Sequence, residues 1–303
     1  MNLNSPKLNY IIMISVVFLC AFEYIFAKPI LESVPALTVI WFKYVISFAV
    51  LICIKLVRGI HIPFILRDMP VFVALALLGE VFYYLGSFSA LSYLPVALVT
   101  VVIAMAPVLS IVFDRFIYKR KIRIPVALGV GVSLMGIFMV AGVDIGMVTS
   151  GRFIGYLLAV LPAVCANLYN VIAIKLTTRY STFEISFYII GATAIICTPY
   201  GLSHLPASNS INVFFVLTVV YLGVMVASYG LFAYVNSLKI LGATTTLLFS
   251  NFVPVVACVF GWLFLKETIL PLQLVGGAIA LIGCAAVIWY KGRIEILEMK
   301  VKP

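Results

Sequence analysis

The feature that most constrains this chain is a succession of ten apolar stretches, each close to the roughly 20 residues that a helix needs to cross a bilayer. Hydrophobic residues make up 65% of the sequence and charged residues 10%, against about 45–50% and about 25% in soluble domains. The sequence therefore predicts an all-α membrane protein with ten transmembrane helices in the lipid bilayer. The approximate spans are 9–27, 36–57, 70–92, 95–117, 124–143, 153–175, 183–201, 212–238, 243–265 and 270–290.

Basic residues concentrate on alternate connections between these spans. If the N-terminus lies inside, the outside segments hold only Lys28, Arg152 and Lys266, and Lys43 lies within the second span. The other 16 of the 20 basic residues fall inside: Lys7, Lys55, Arg58, Arg67, Arg115, Lys119, Arg120, Lys121, Arg123, Lys175, Arg179, Lys239, Lys291, Arg293, Lys300 and Lys302. By the positive-inside rule, both termini are expected in the cytoplasm. Membrane topology thus accounts for the net charge of +10, and no nucleic-acid partner is expected.

The first apolar stretch resembles a signal peptide only superficially. It lacks a small-residue cleavage site and nine further stretches follow it, so we expect a retained helix. Short loops and the absence of a targeting segment favour the inner membrane of a bacterial cell.

The sequence repeats itself at an offset of 147 residues. The matched pairs are Lys28 and Lys175, Leu91 and Leu238, Pro107 and Pro254, Phe113 and Phe260, Gly129 and Gly276, and Gly136 and Gly283. Residues 1–147 and 148–303 are therefore predicted to form two five-helix repeats. Because five is odd, the second repeat enters the membrane from the opposite face. Such inverted repeats are typical of transporters that alternate access about a central site.

The matched glycines and prolines have structural interpretations. Gly129 and Gly136 share one face of the fifth helix, which predicts close helix packing. Pro107 and Pro254 are predicted to lie within the fourth and ninth helices, where proline removes a backbone hydrogen bond. They are either static kinks or paired hinges for a rocking motion.

The segment "GWLFLKETILPLQLVGGAIALIGCAAVI" at 261–288 resembles the end of an EamA-type protein of the drug/metabolite transporter superfamily. The resemblance rests on Glu267, Gln273 and the glycine-bearing helix, and it covers essentially the whole chain. It implies export or exchange of small metabolites, often amino acids, through a central cavity. Two positions depart from the family pattern: Arg120 stands where the first repeat usually has a glutamate, and Ala21-Phe22 replaces a Trp-Gly pair.

Three ionisable residues lie within the predicted spans: Glu23, Lys43 and Glu80. Such residues usually face a bundle interior or an aqueous cavity. With a rise of about 1.5 Å per residue, Glu23 and Lys43 lie at similar depths and are able to pair. The pair is either a structural link between two helices or part of a binding site.

Glu80, Tyr83, Tyr84 and Ser87 follow the i, i+3, i+4, i+7 spacing of one helix face. This face either packs against a neighbouring helix or lines a cavity. In a cavity, Glu80 could carry a proton in exchange for substrate, and the tyrosine rings suit an ammonium group.

The second half offers neutral polar groups, chiefly Asn167, Asn170, Tyr229 and Asn251. Charge on one side and amides or hydroxyls on the other suit an asymmetric small-molecule substrate. An amino acid or related zwitterion could place its carboxylate on Lys43 and its ammonium on Glu23 or Glu80.

Other classes of function find less support. No Ser-His-Asp set, zinc-ligand spacing or phosphate-binding loop occurs at usable positions, and the six cysteines are scattered, so we expect neither an enzyme nor a cofactor. A channel or scramblase would not need paired hinges. The sequence predicts a secondary transporter that exports an amino acid or related zwitterion, with protons as a possible coupling ion. The alternative is a transporter of drug-like cations or nucleoside-type metabolites.

Overall fold

The computed structural model describes residues 5–63, 67–109, 124–141 and 152–301, and within these ranges the ordered elements are helices, without a β-strand. In chain order they are α1 (Pro6–Leu31), α2 (Ala36–Arg58), α3 (Met69–Ala90), α4 (Val96–Ile103), α5 (Ile124–Ala141), α6 (Arg152–Leu176), α7 (Thr182–Ser203), a 3₁₀ turn (Ser208–Ser210), α8 (Val213–Gly242), α9 (Val253–Leu265) and α10 (Pro271–Val301).

These helices confirm the prediction of an all-α membrane protein. Seven are long and apolar enough to cross a membrane, and three shorter apolar helices occupy the remaining predicted spans: Val96–Leu109, Ile124–Met139 and Val253–Leu265. The helix α1 extends beyond its predicted span at both ends, and α10 extends beyond its predicted span at the C-terminal end. Residues 110–117 and 142–143 of two predicted spans, and the predicted repeat boundary at residue 147, lie outside the described residues.

The two halves run in opposite directions through the bundle. Lys28, near the C-terminal end of α1, donates a hydrogen bond to the carbonyl oxygen of Leu94 at 3.3 Å. Leu94 in turn packs against Gly155, at the start of α6. The end of α1 and the start of α6, its counterpart in the repeat, therefore lie at the same end of the bundle.

The helices α5 and α10 pack closely against each other and run antiparallel. The glycine spacing predicted the close packing but not the partner helix or its direction. A Cβ at Gly136 would lie 2.4 Å from the backbone nitrogen of Ala280, and one at Gly129 would lie 2.7 Å from Val287 Cγ2. Only glycine permits this approach, because any larger residue would have to displace the opposite helix.

Both third helices of the repeats contain a π-helical stretch at the matched place. In α3 it covers Ala76–Phe82, and in α8 it covers Leu222–Gly230. Subtracting the offset of 147 from the second gives 75–83, so the two widened turns coincide under the repeat. Such π-helical turns often occur at functional sites.

Both repeats also interrupt their fourth helix at the matched place. A two-residue turn at 104–105 separates α4 from a further helical turn at 106–109. In the second repeat, Gly242 (φ 80°) ends α8, helical residues 243–250 follow, and a turn at 251–252 precedes α9. Pro107 and Pro254 thus lie in the first turn after a break rather than within a continuous helix. Proline is well tolerated there, because a first-turn N–H has no partner within the helix.

An ion pair links α1 to the segment that follows α9 at one end of the bundle. Lys28 Nζ lies 2.6 Å from Glu267 Oε1, and the same carboxylate accepts hydrogen bonds from the Val96 N–H at 3.0 and 3.1 Å. Glu267 therefore caps the start of α4 while holding the end of α1. At the matched positions of the other repeat the sequence has Lys175 and Arg120, of like charge.

Candidate functional site

A cavity of about 190 Å³ lies between the two halves, lined by residues of α1, α2, α3, α4, α6, α8, the 243–250 segment and α9. Its wall is mostly apolar and aromatic. Both interrupted helices reach it, since Ile103, Pro107, Ser250 and Val253 are among its lining residues. Ile103 and Ser250 are the last residues before the two turns, so the helical hydrogen-bond ladder does not continue from their carbonyl groups.

A buried ion pair lies beside this cavity. Lys43 Nζ lies 2.6 Å from Glu23 Oε1, and the two side chains are 0% and 1% exposed. The Tyr84 hydroxyl donates to Glu23 Oε2 at 3.1 Å, and the ammonium group of Lys43 lies 3.3 Å from the centroid of the Tyr84 ring. The Lys43 charge is therefore satisfied by a carboxylate and an aromatic face. Glu23 lines the cavity, whereas Lys43 does not.

Glu80 also lines the cavity, from the π-helical stretch of α3. Its carboxylate accepts a hydrogen bond from the Tyr44 hydroxyl, a neutral donor. The ammonium group of Lys43 and the carboxylate of Glu23 are close enough to interact electrostatically with Glu80. With all three groups ionised, two carboxylates share one ammonium, so the cluster carries one negative charge in excess.

Tyrosines form much of the polar surface of the cavity. Tyr24 and Tyr83 are hydrogen-bonded through their hydroxyls at 3.2 Å, and the Tyr234 hydroxyl donates to Asn170 Oδ1 at 2.9 Å. The hydroxyl of Tyr169 is buried and finds no partner among the described residues. The cavity thus offers aromatic faces, hydroxyl groups and a carboxylate to a ligand.

Two regions of the chain, 7–142 and 153–289, match the model of the EamA-like transporter family, and together they span most of the sequence. The chain belongs to this family of transporters. The matched regions follow one another as the two halves do.

Similar proteins carry transporter names. The "Uncharacterized transporter YcxC" of Bacillus subtilis strain 168 is 23% identical, with 90% of each chain covered. A "Probable terminal-alkyne amino-acid exporter" of Streptantibioticus cattleyicolor is 24% identical over 72% of each chain. A crystal structure with 22% identity superposes with a TM-score of 0.67 and covers 96% of this chain and 100% of its own, which shows the same fold.

The structure brings most of the predicted site residues of this EamA-family protein to the cavity. Besides Glu23 and Glu80, the residues Tyr83, Tyr84, Asn170, Asn251 and Pro107 line it. Lys43, Ser87, Asn167, Tyr229 and Pro254 do not line it.

The residues outside the lining make contacts of their own. Asn167 Nδ2 donates to the carbonyl oxygens of Ala106 at 2.6 Å and Ala163 at 2.8 Å, which ties α6 to the interrupted α4. The Tyr229 hydroxyl is hydrogen-bonded to Ser15 Oγ at 2.9 Å and the residue is 38% exposed. These contacts link neighbouring helices, and neither residue lines the cavity.

Ser87 departs from the predicted stripe for a geometric reason. It is fully buried, and its hydroxyl donates to the carbonyl oxygen of Tyr84 at 3.3 Å. The prediction assumed 3.6 residues per turn throughout, but Glu80 lies in a π-helical turn, which is wider. The wider turn shifts the angular position of the residues that follow it, so Ser87 no longer lies on the helix face that carries Glu80.

Several cavity residues escaped the sequence-based prediction, among them Tyr24, Tyr44, Tyr169 and Tyr234. Tyr24 and Tyr44 directly follow Glu23 and Lys43 in the sequence, which is a usable signal. Tyr169 directly precedes Asn170 and has a similar signal, whereas Tyr234 has none, because its position at the cavity depends on contacts between helices far apart in the chain. Among the described residues, no three His, Cys, Asp or Glu side chains gather in a way that could hold a metal ion.

Proposed function

We propose that this protein is a secondary transporter that exports an amino acid or related zwitterion by alternating access, in exchange for protons. The observation that carries the proposal is the position of Glu80, which faces an otherwise apolar and aromatic cavity in a cluster with one negative charge in excess. The exporter name of the relative from Streptantibioticus cattleyicolor is consistent with this substrate class.

The proposed exchange follows from the cost of burying charge. Lys43 already pairs with Glu23, so the carboxylate of Glu80 has only the neutral Tyr44 hydroxyl as its direct partner among the described residues. A buried charge without a counter-charge is costly. The ammonium group of a substrate neutralises Glu80 in one half of the cycle, and a proton neutralises it in the other.

The aromatic wall supports an ammonium ligand. The rings of Tyr83 and Tyr84 lie 5.0 Å apart, and both residues line the cavity with Glu80. A cation is attracted to the face of an aromatic ring as well as to a carboxylate. In this proposal Lys43 holds Glu23 and Tyr84 in place and does not bind the substrate.

The interrupted helices supply the proposed movement. The breaks at 104–105 and 251–252 coincide under the repeat, and each is followed by a proline, Pro107 or Pro254. We propose that these breaks act as paired hinges between the repeats 1–147 and 148–303. The turn in each helix already interrupts the regular α-helical hydrogen-bond pattern, so in this proposal the helix bends there without breaking a continuous ladder.

The membrane orientation belongs to the same proposal. The distribution of Lys and Arg supports cytoplasmic N- and C-termini in a bacterial inner membrane. The Lys28–Glu267 pair then closes the outer end of the bundle.

A second candidate is a transporter of drug-like cations or nucleoside-type metabolites. Lys43 is buried and does not line the cavity, so it is not placed to bind a substrate carboxylate. A cation needs no positively charged partner, and this observation therefore favours a cation over a zwitterion that would bind through Lys43.

A ligand panel on purified protein in nanodiscs tests the proposed substrate class. L-Leucine, adenosine and tetraphenylphosphonium are compared in thermal unfolding of the wild type, of Glu80→Gln and of the control Glu32→Gln, which alters an exposed residue. A ligand at roughly a hundredfold excess over its Kd stabilises by about 2.7 kcal/mol. We expect L-leucine to stabilise the wild type and Glu32→Gln but not Glu80→Gln. Stabilisation by adenosine or tetraphenylphosphonium alone would contradict the proposal.

A further inference from the structure

The structure points to a separate binding position for the substrate carboxylate, and we infer that Asn251, in the turn that precedes α9, provides it. This inference rests on the proposed function, because it assigns the second end of the same zwitterion. It replaces the sequence-based expectation that Lys43 binds the carboxylate.

Asn251 combines burial with an unused donor. The residue lines the cavity and is 8% exposed, so it is more than nine-tenths buried. Its Nδ2 group makes no hydrogen bond to an oxygen acceptor among the described residues. The Cys284 sulfur lies within reach of this amide, but a thiol sulfur is a weak acceptor, and the Cys284 S–H donates to the carbonyl oxygen of Ala104 at 3.1 Å. A buried amide donor without an acceptor costs free energy, and a ligand carboxylate would satisfy it.

The helix that follows Asn251 strengthens the case. The helix α9 is 13 residues long and begins at Val253, which also lines the cavity. The aligned peptide dipoles give this N-terminus a partial positive charge, although Pro254 contributes no N–H and the Val255 N–H already donates to the Phe252 carbonyl oxygen at 3.1 Å. A carboxylate bound by Asn251 would therefore lie at the end of α9 that favours an anion.

The other interrupted helix does not offer the same group. Asn251 corresponds to Ala104 under the offset of 147, and alanine has no side-chain donor. Near that break, Asn167 Nδ2 is already bonded to Ala106. The two repeats thus present a carboxylate on α3 and, before α9, an amide without an oxygen acceptor. A zwitterion has the two complementary ends.

Binding measurements with three related probes test the assignment. L-Leucine carries both charges, L-leucine methyl ester lacks the carboxylate charge, and isopentylamine lacks the carboxyl group. Each is titrated against the full chain in nanodiscs by competition with radiolabelled L-leucine, or by direct thermal shift where labelled leucine does not bind. The variants are Asn251→Leu, which removes the donor, Asn251→Gln, which keeps an amide, and Asn251→Asp, which places a negative charge beside the substrate carboxylate.

We expect the wild type to prefer L-leucine over isopentylamine and the ester. Asn251→Leu should weaken L-leucine binding about tenfold or more, the range expected for a hydrogen bond to a charged group, and leave isopentylamine binding within about twofold. Asn251→Gln should recover part of the loss, and Asn251→Asp should bind the amine better than leucine. Retained amine binding also reports that each variant is folded.

The other outcomes separate the two proposals. If the wild type binds none of the three probes, the proposed substrate class fails. If it binds leucine and amine equally, or if Asn251→Leu weakens both to the same extent, the carboxylate position at Asn251 is refuted while amine recognition at Glu80 stands.

Discussion

The hydroxyl of Ser133 donates a hydrogen bond at 3.3 Å to the carbonyl oxygen of Ala280, its own counterpart in the repeat. Two matched residues touch only where the axis that relates the repeats passes between them. The α5–α10 contact therefore lies on the axis that relates the two repeats. The glycines around it are expected to tolerate little substitution.

Gly136→Ala should destabilise the protein by about 1–3 kcal/mol, because the added methyl group would overlap the backbone of α10. Gly131 lies on the same helix and a Cβ there meets nothing within 4 Å. Gly131→Ala should be neutral or stabilise by up to about 1 kcal/mol, since alanine favours a helix over glycine. Thermal unfolding in detergent compares the two, and equal effects would contradict the close packing.

The ion pair of Glu23 and Lys43 should behave as a buried structural unit. Lys43→Met leaves Glu23 buried without its partner and should cost about 3–5 kcal/mol. The double variant Glu23→Gln/Lys43→Met removes both charges and should regain most of that loss. A double variant as unstable as Lys43→Met would show that the lysine stabilises the fold by packing rather than by charge.

How well the sequence predicted this region depended on the kind of contact. Glu23 and Lys43 lie on successive helices. The α-helical rise of about 1.5 Å per residue places them at similar depths in the membrane, which was enough to predict that they are able to pair. The sequence did not reveal that the Tyr84 ring covers Lys43, because that contact brings a third helix, α3, against the pair.

Asn167 and Asn170 give a second example of a difference that the sequence does not predict. They lie three residues apart on α6 and look equivalent in the sequence. In the structure one donates to Ala106 beside the break in α4, and the other lines the cavity. The difference depends on where α4 is interrupted, and the hydrophobicity pattern of α4 does not reveal that interruption. The all-α membrane fold, by contrast, follows from long apolar stretches, and the helices of the described residues confirm it.

Glu267 should matter more than Lys28 for stability. Glu267→Ala removes the ion pair and the acceptor for the Val96 N–H, and should cost about 1–3 kcal/mol. Glu267→Gln keeps an acceptor, and Lys28→Met keeps the whole cap of α4, so both should cost less. Thermal unfolding of the three variants tests this order. Equal losses in all three would show that the ion pair, and not the helix cap, stabilises this end.

Lys266 and Lys239 should be reached from opposite sides of the membrane. Both are exposed, and the charge distribution predicts Lys266 outside and Lys239 in the cytoplasm. Lys266→Cys and Lys239→Cys, each made in a variant whose native cysteines are replaced, are treated with a membrane-impermeant maleimide. We expect intact cells to label only the Lys266→Cys protein and lysed cells to label both. The reverse pattern in intact cells would invert the orientation.

The most direct test of the proposed exchange is the flux of labelled L-leucine from proteoliposomes with and without an inward proton gradient. The wild type should release leucine faster when the outside is acidic, because protons entering the cavity neutralise Glu80 as the substrate leaves. Glu80→Gln should lose this acceleration, whereas the control Glu32→Gln should keep it. Leucine flux through the wild type that is independent of the gradient would contradict proton exchange, and a gradient effect that persists in Glu80→Gln would remove Glu80 from the coupling step.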